Sequence, residues 1–148
     1  KNTDEVESKG VEFEFAKKWK NGFEGSVSYS FQETINTDTK SILTNAPKNL
    51  GKLNVIAPLL NKNLTAGVEL QYTGSRTSLA NKTIGGFLTG NLTVLCKELV
   101  RGLEISASVY NVFDKKYADT ASSEHLSQNM DRIVQDGRTF RLKMVYSF

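Results

Sequence analysis

The 148-residue sequence predicts an all-β fold, an antiparallel meander of about seven strands. Three observations predict it. Apolar and polar residues alternate in successive runs of about 9 to 11 residues. The connections between those runs alternate short and long. No stretch carries a convincing helical period, and no apolar run reaches the ~18 residues of a membrane-spanning helix.

The first strand, residues 10–19 (GVEFEFAKKW), sets Val11, Phe13 and Phe15 against Glu12 and Glu14. Asn21-Gly22 follows, a strong hairpin signal. In the second strand, 23–31, Phe23, Val27, Tyr29 and Phe31 oppose Glu24, Ser26, Ser28 and Ser30. A polar stretch over 32–49 leads to the third strand, 50–59, with Leu53, Val55, Ala57 and Leu59 in phase and Pro58 at its tolerant end. LNKN makes a short turn. The fourth strand, 64–74, sets Leu64, Ala66, Val68, Leu70 and Tyr72 against Thr65, Glu69, Gln71 and Thr73. A polar loop over 75–84 precedes the fifth and least regular strand, 85–95, where Leu88, Leu92 and Val94 oppose Thr89, Asn91 and Thr93. CKELVRG is read as a short connection. The sixth strand, 103–111, opposes Leu103, Ile105, Ala107 and Val109 to Glu104, Ser106, Ser108 and Tyr110. The longest loop, 112–136, leads to the seventh strand, 137–148, with Phe140, Leu142, Met144, Tyr146 and Phe148 in phase.

Composition narrows the function classes. With 39% hydrophobic and 24% charged residues, the chain is not a disordered sequence. Its net charge of +3 is too small to argue for nucleic acid, and KKWK at 17–20 reads as a solvated turn. A single cysteine, Cys96, excludes an internal disulfide and lacks a CxxC partner for zinc. One histidine, one cysteine and no paired carboxylates leave no credible catalytic set, so an enzyme is not expected, nor a cofactor or metal. Glycosylation-type triplets at Asn63, Asn81 and Asn91 carry no weight, two of them falling on strands. Lys1 is not an initiator, and the chain reads as a piece of something longer. The mean hydropathy of −0.36 looks soluble, but alternation hides an apolar face inside a polar average.

Two physical readings fit alternating strands. In a soluble barrel or sandwich the apolar face turns inward to a core. In a membrane barrel it turns outward to lipid around a polar lumen. Three features favour lipid. The polar faces are mostly Ser, Thr, Asn, Gln and Glu, with little of the mixed charge of a soluble surface. The strands have the length a tilted strand needs to cross hydrocarbon. Aromatics gather near strand ends, at Trp19, Phe23, Phe31, Tyr72, Phe140, Tyr146 and Phe148, as in interfacial girdles.

SKGVEFEF, NAPKNLGKLNV, YTGSR, LEISASVYNVFDKKY and GRTFRLKMVYSF occur in that order. Together they make the chain resemble the C-terminal end of the TonB-dependent outer-membrane receptors over nearly its whole length. The specific part is NVFDKKY (111–117), followed by GRTF (137–140) and a terminal Phe.

The resemblance implies a fragment of a large transmembrane β-barrel, residues 1–148 being its C-terminal segment without the plug domain and earlier strands. It implies part of a receptor in the outer membrane of a Gram-negative bacterium. Such a receptor takes up a scarce ligand (a ferric siderophore, haem, cobalamin or similar) with energy from the TonB complex, which acts through an N-terminal region not present here. Its partners would be outer-membrane lipid, the TonB complex, the barrel-assembly machinery and a small ligand of unknown identity, with no nucleic acid. Placing the C-terminus in the periplasm puts KNG, LNKN and CKELVRG on the periplasmic side and the three long loops outside.

Parity names the lumen-facing residues: Ser26, Ser28, Ser30, Glu69, Gln71, Asn91, Glu104, Ser106, Arg141 and Lys143. Glu104 and Arg141, on adjacent strands, are candidates for a cross-strand pair. Phe140, Leu142, Met144, Tyr146 and Phe148 resemble the barrel-assembly signal. In the external loops Arg76, His125, Asp131 and Arg132 are the candidate ligand contacts. Asn111 and Asp114 favour a side-chain-capped turn, and Tyr117 is read as an interface anchor. Two alternatives have other functions: a small complete outer-membrane barrel with a structural or adhesive role, and a soluble lipocalin-like ligand binder. The odd strand count and the missing signal peptide argue against the small barrel.

Overall fold

The computed structural model describes residues 5–38, 40–59 and 63–148. Seven strands form one antiparallel sheet in the order β1-β2-β3-β4-β7-β8-β11. They are β1 (Val6–Lys18), β2 (Glu24–Asn36), β3 (Asn49–Pro58), β4 (Leu64–Thr73), β7 (Phe87–Val100), β8 (Leu103–Tyr110) and β11 (Thr139–Tyr146). Every neighbour is the next long strand in sequence, so the sheet is the expected meander. Two small hairpins stand apart from it, β5 (Arg76–Thr77) with β6 (Thr83–Ile84), and β9 (Ala118–Thr120) with β10 (Arg132–Val134).

Tight turns and long loops segregate to opposite ends. Between β1 and β2, Gly22 takes φ +84° and its N–H bonds Trp19 O at 3.0 Å, a conformation glycine adopts without strain. The expected LNKN turn lies largely outside the described residues. Next to it, Leu59 N–H bonds Leu64 O at 2.8 Å.

Several boundaries differ from the sequence reading. CKELVRG is not a loop: β7 continues through it to Val100, with a register shift between Lys97 and Val100, and the turn shrinks to Arg101 and Gly102. Cys96 therefore lies within a strand. The bulge absorbs the residues whose parity breaks there. β1 begins four residues earlier than expected and β2 runs five residues further, to Asn36, because the polar continuations pair with each other (Val6 with Asn36, Ser8 with Thr34). The second and third of the long loops contain the small hairpins. The longest also holds a one-turn helix, α1 (Ser123–Ser127), too short to show a helical period.

Register fixes the faces, because directly paired residues point the same way. One row runs Phe13–Tyr29–Gly51–Tyr72–Leu88 across five strands, and another runs Gly25–Val55–Val68–Leu92–Val109–Phe140 across six. Interleaved with them are Ala16–Ser26–Asn54–Glu69–Asn91 and Gly67–Thr93–Ser108–Arg141. The second face is mainly polar, with Val6, Leu50, Ile56, Phe87, Leu95 and Val145 among its apolar exceptions.

The apolar face is not a core. Phe13 is 59% exposed and Phe140 75%, and the buried hydrophobics among the described residues are Ile84, Phe87 and Ala121, all beneath the long loops. These seven strands do not close into a small barrel around an apolar centre, as the lipocalin reading requires. At the tight-turn edge of the apolar face Trp19 lies over Gly25, whose added Cβ would meet the indole at 3.4 Å. At the loop edge Phe113 lies over Gly90, where a Cβ would meet the ring at 2.8 Å. Aromatic rings thus cap both edges of the band, as interfacial girdles do.

Candidate functional site

The ten parity-selected residues Ser26, Ser28, Ser30, Glu69, Gln71, Asn91, Glu104, Ser106, Arg141 and Lys143 all fall on the polar face. Thr93 and Ser108 share a hydroxyl hydrogen bond of 2.9 Å across it. The expected Glu104–Arg141 pair does not form. Arg141 sits opposite Ser108 and Glu104 opposite Val145, four positions along, and the Arg141 guanidinium lies 5.6 Å from the Tyr110 ring centre instead. Strand parity gave the face but not the register.

At its long-loop end the polar face is covered by interlocked loops. The first loop meets the second where Asn45 N–H bonds Thr77 O at 2.8 Å. Within the β5–β6 hairpin Ser78 is fully buried, its N–H bonding Lys82 O and its hydroxyl accepting from Lys82 N–H. The second loop meets the third through Arg76. Its guanidinium pairs with Asp119, donates to Ala118 O at 3.2 Å, and lies 5.7 Å from the Phe87 ring centre. Phe87 in turn stacks on Tyr117, centroids 4.1 Å apart and planes 30° from parallel. Burial first, then the carboxylates of Asp119 and Asp136, raise the Tyr117 phenol pKa, so it stays a hydrogen-bond donor.

The NVFDKKY turn is held by side chains, as expected. Asn111, at φ +50°, accepts from Lys115 N–H at 2.9 Å and donates to Lys115 O at 3.0 Å. Asp114 accepts from Arg138 N–H at 2.9 Å and from Lys116 at 3.2 Å. The Arg138 N–H, then the Lys116 ammonium, hold the Asp114 carboxyl below the ordinary aspartate range. Tyr117 is not an interface anchor, because its stacking on Phe87 turns it towards the polar face.

The four candidate ligand contacts are not brought together. Arg76 is committed to Asp119 and only 11% of its side chain is exposed. Asp131 uses Oδ1 to accept from Ala80 N–H at 3.4 Å, while its Oδ2 is buried with no hydrogen-bond partner among the described residues. His125 Nδ1 hydrogen-bonds Ser122 Oγ at 2.7 Å on α1. Arg132 is exposed on β10, at the end of a groove of about 360 Å³ that also holds Phe87, Lys115, Lys116 and Tyr117. Sequence reasoning missed Asp119, Phe87 and Lys115. The available signal was the run of cations and an aromatic just after the Asn111 turn.

A family model described as "TonB dependent receptor-like, beta-barrel" matches residues 1–112. The chain belongs to this family of TonB-dependent receptor β-barrels. The sheet is accordingly part of an outer-membrane barrel of a Gram-negative bacterium, not closed within this chain, and its family is one of receptors rather than enzymes. No curated protein matches the sequence.

Among solved structures, receptors and a transporter of low identity superpose over nearly all of the chain. The ferric yersiniabactin uptake receptor FyuA from Yersinia pestis is 17% identical with a TM-score of 0.81, covering 99% of this chain and 24% of its own. The closed form of the ferric-catecholate import receptor Fiu from E. coli is 18% identical with a TM-score of 0.80, covering 98% and 21%. The copper transporter OprC is 18% identical with a TM-score of 0.76, covering 97% and 24%. This chain spans about a fifth to a quarter of the length of those receptors.

Proposed function

We propose that the chain is the C-terminal wall of an importer that takes up a scarce ligand (a ferric siderophore, haem, cobalamin or similar), energised by the TonB complex through an N-terminal region. The observation that carries it is the two-faced sheet: one continuous ring-edged apolar face, one polar face, and long loops folded over a single end of the polar one. In this reading the apolar face meets lipid and the ten polar-face residues line the lumen against the plug. Phe140, Leu142, Met144, Tyr146 and Phe148 serve the barrel-assembly machinery. Of the loop candidates, Arg132 and His125 are the ones with accessible polar atoms, Asp131 keeps its second oxygen buried, and Arg76 shapes the loops. Import by FyuA and Fiu supports an iron complex as cargo, and OprC supports a metal more broadly.

The test is growth of cells carrying the parent receptor as their sole such receptor, under iron limitation, with and without a functional TonB. Growth that requires both the receptor and TonB is the expected result. Growth indifferent to TonB removes energised import.

A further inference from the structure

We propose that the tight-turn corner of the apolar face, built from Lys17, Trp19 and Lys20, binds the head group of an anionic glycerophospholipid; this rests on the reading above that the apolar face meets lipid. Lys17 is a charge where that face is otherwise apolar. It pairs with Gly25, and the row continues through Val55, Val68 and Leu92, so Lys17 stands on the apolar side of the sheet. The other charged residues at paired positions of that face are Glu7, Lys9 and Glu33, all at its long-loop end. They carry their counter-charges with them: Lys9 lies 2.7 Å from Glu7, and Glu33 2.5 Å from Lys48. Lys17 has no ion-pair partner among the described residues. The neighbouring carboxylate, Glu24, faces the polar side and is taken by Lys18. An ammonium on a hydrocarbon-facing wall is costly unless it reaches the head-group layer and meets an anion there.

The β1–β2 turn holds the corner in shape. Trp19 N–H bonds Phe23 O at 2.8 Å, and Phe23 N–H donates to the Asn21 side-chain carbonyl at 3.2 Å. The indole lies against Gly25, which has no side chain to lift it, and meets the Phe23 ring edge-on with centroids 5.7 Å apart. Lys17 Nζ stands 5.4 Å from the indole centre. Lys20 is exposed in the same turn, also without an ion-pair partner among the described residues. Two unpaired ammonium groups therefore flank one amphipathic ring. The cations suit a phosphodiester, and the ring suits the glycerol and upper acyl chain beneath it. A zwitterionic lipid brings an ammonium of its own, which offsets the attraction; an anionic one does not.

Trp19 is the single tryptophan of this chain and serves as the reporter. The full-length parent receptor, with any tryptophans elsewhere replaced by phenylalanine, is reconstituted into vesicles of phosphatidylcholine and phosphatidylglycerol. One lipid or the other carries dibrominated acyl chains, which quench an indole beside them. Comparing the two gives the relative affinity of the lipids for the corner. Quenching by both is expected, with a preference of about fivefold for phosphatidylglycerol. K17Q/K20Q should bring the two lipids to parity, and K17R/K20R should keep the preference. K52Q, which removes a cation from the polar face, should leave it unchanged.

Quenching that does not distinguish the lipids, a preference that survives K17Q/K20Q, or an equal loss in K52Q would overturn the site while the lipid-facing reading stands. Absence of quenching by either brominated lipid would overturn both, because the ring then does not meet acyl chains.

Discussion

Val68 offers the sharpest test of which face meets hydrocarbon. It is the fifth of ten residues in β4, paired with Val55 on one side and Leu92 on the other, and 40% exposed. Ten residues at ~3.4 Å rise make a strand of about 34 Å. Tilted by ~40° it spans about 26 Å of depth, close to the ~25 Å apolar band of such barrels. Val68 then lies within about 2 Å of the midplane by the same geometry. Arginine at that depth costs about 2–4 kcal/mol, roughly a 30-fold or greater loss of folded population. Its neighbour Glu69 faces the other way and makes no ion pair among the described residues, so Glu69→Arg should stay within about 0.5 kcal/mol.

A buried protein core would also reject arginine, so a third variant is needed. Val68→Trp adds apolar surface that lipid accepts without cost, whereas a packed core would be overfilled at about 1–3 kcal/mol. The assay is urea titration of the parent receptor folded in phospholipid vesicles, following the mobility of the folded band. If Val68→Trp costs as much as Val68→Arg, or if Glu69→Arg matches Val68→Arg, the orientation is wrong.

Asp119→Ala should strand the mostly buried Arg76 guanidinium and loosen the clasp between the second and third loops by about 2–3 kcal/mol. Hydrogen exchange of residues 117–121 should rise while the strand amides stay protected, and the charge swap R76D/D119R should recover part of the protection. The Asp114 carboxyl, depressed by the Arg138 N–H and Lys116, stabilises its turn at all pH above the ordinary aspartate value and loses that contribution only as pH falls through its lowered pKa. Proteolytic nicking of 111–138 should therefore be flat from pH 7 down to about pH 5 and increase only below the ordinary carboxylate range, and Asp114→Asn should abolish that acid step.

The strands were legible because a period of two survives without knowledge of partners. In β8, Leu103, Ile105, Ala107 and Val109 can lie on one face in any register. Register itself was not legible, and that is why Glu104 and Arg141 looked like a pair: a four-residue offset leaves every parity unchanged. The bulge in β7 was hidden for a related reason. Lys97 and Glu98 break the alternation in the way a turn does, and only pairing with Glu104 and Leu103 shows that the strand continues past them. In the loops, the Asn111 turn was readable because Asn and Asp bond their own backbone. The Arg76–Asp119 clasp joins residues 43 positions apart and leaves no local mark.

Every described residue of β1 and of β11 is exposed, and each strand is paired on one side only. Side-chain packing inside this chain therefore cannot account for the choice of Phe13 and Phe15 on one edge or Leu142 and Met144 on the other. An edge strand that long and that apolar invites pairing with another chain unless something covers it. In the proposed reading the selecting environment lies outside the sheet: hydrocarbon against one face and further strands of the same wall along each edge. The loops differ, because they bury residues of their own, with Ser78, Ile84 and Ala121 buried within them and Phe87 and Asn111 buried where they meet the strands. The piece thus divides into a wall whose stability is borrowed from membrane and neighbouring strands, and a loop cluster that carries its own.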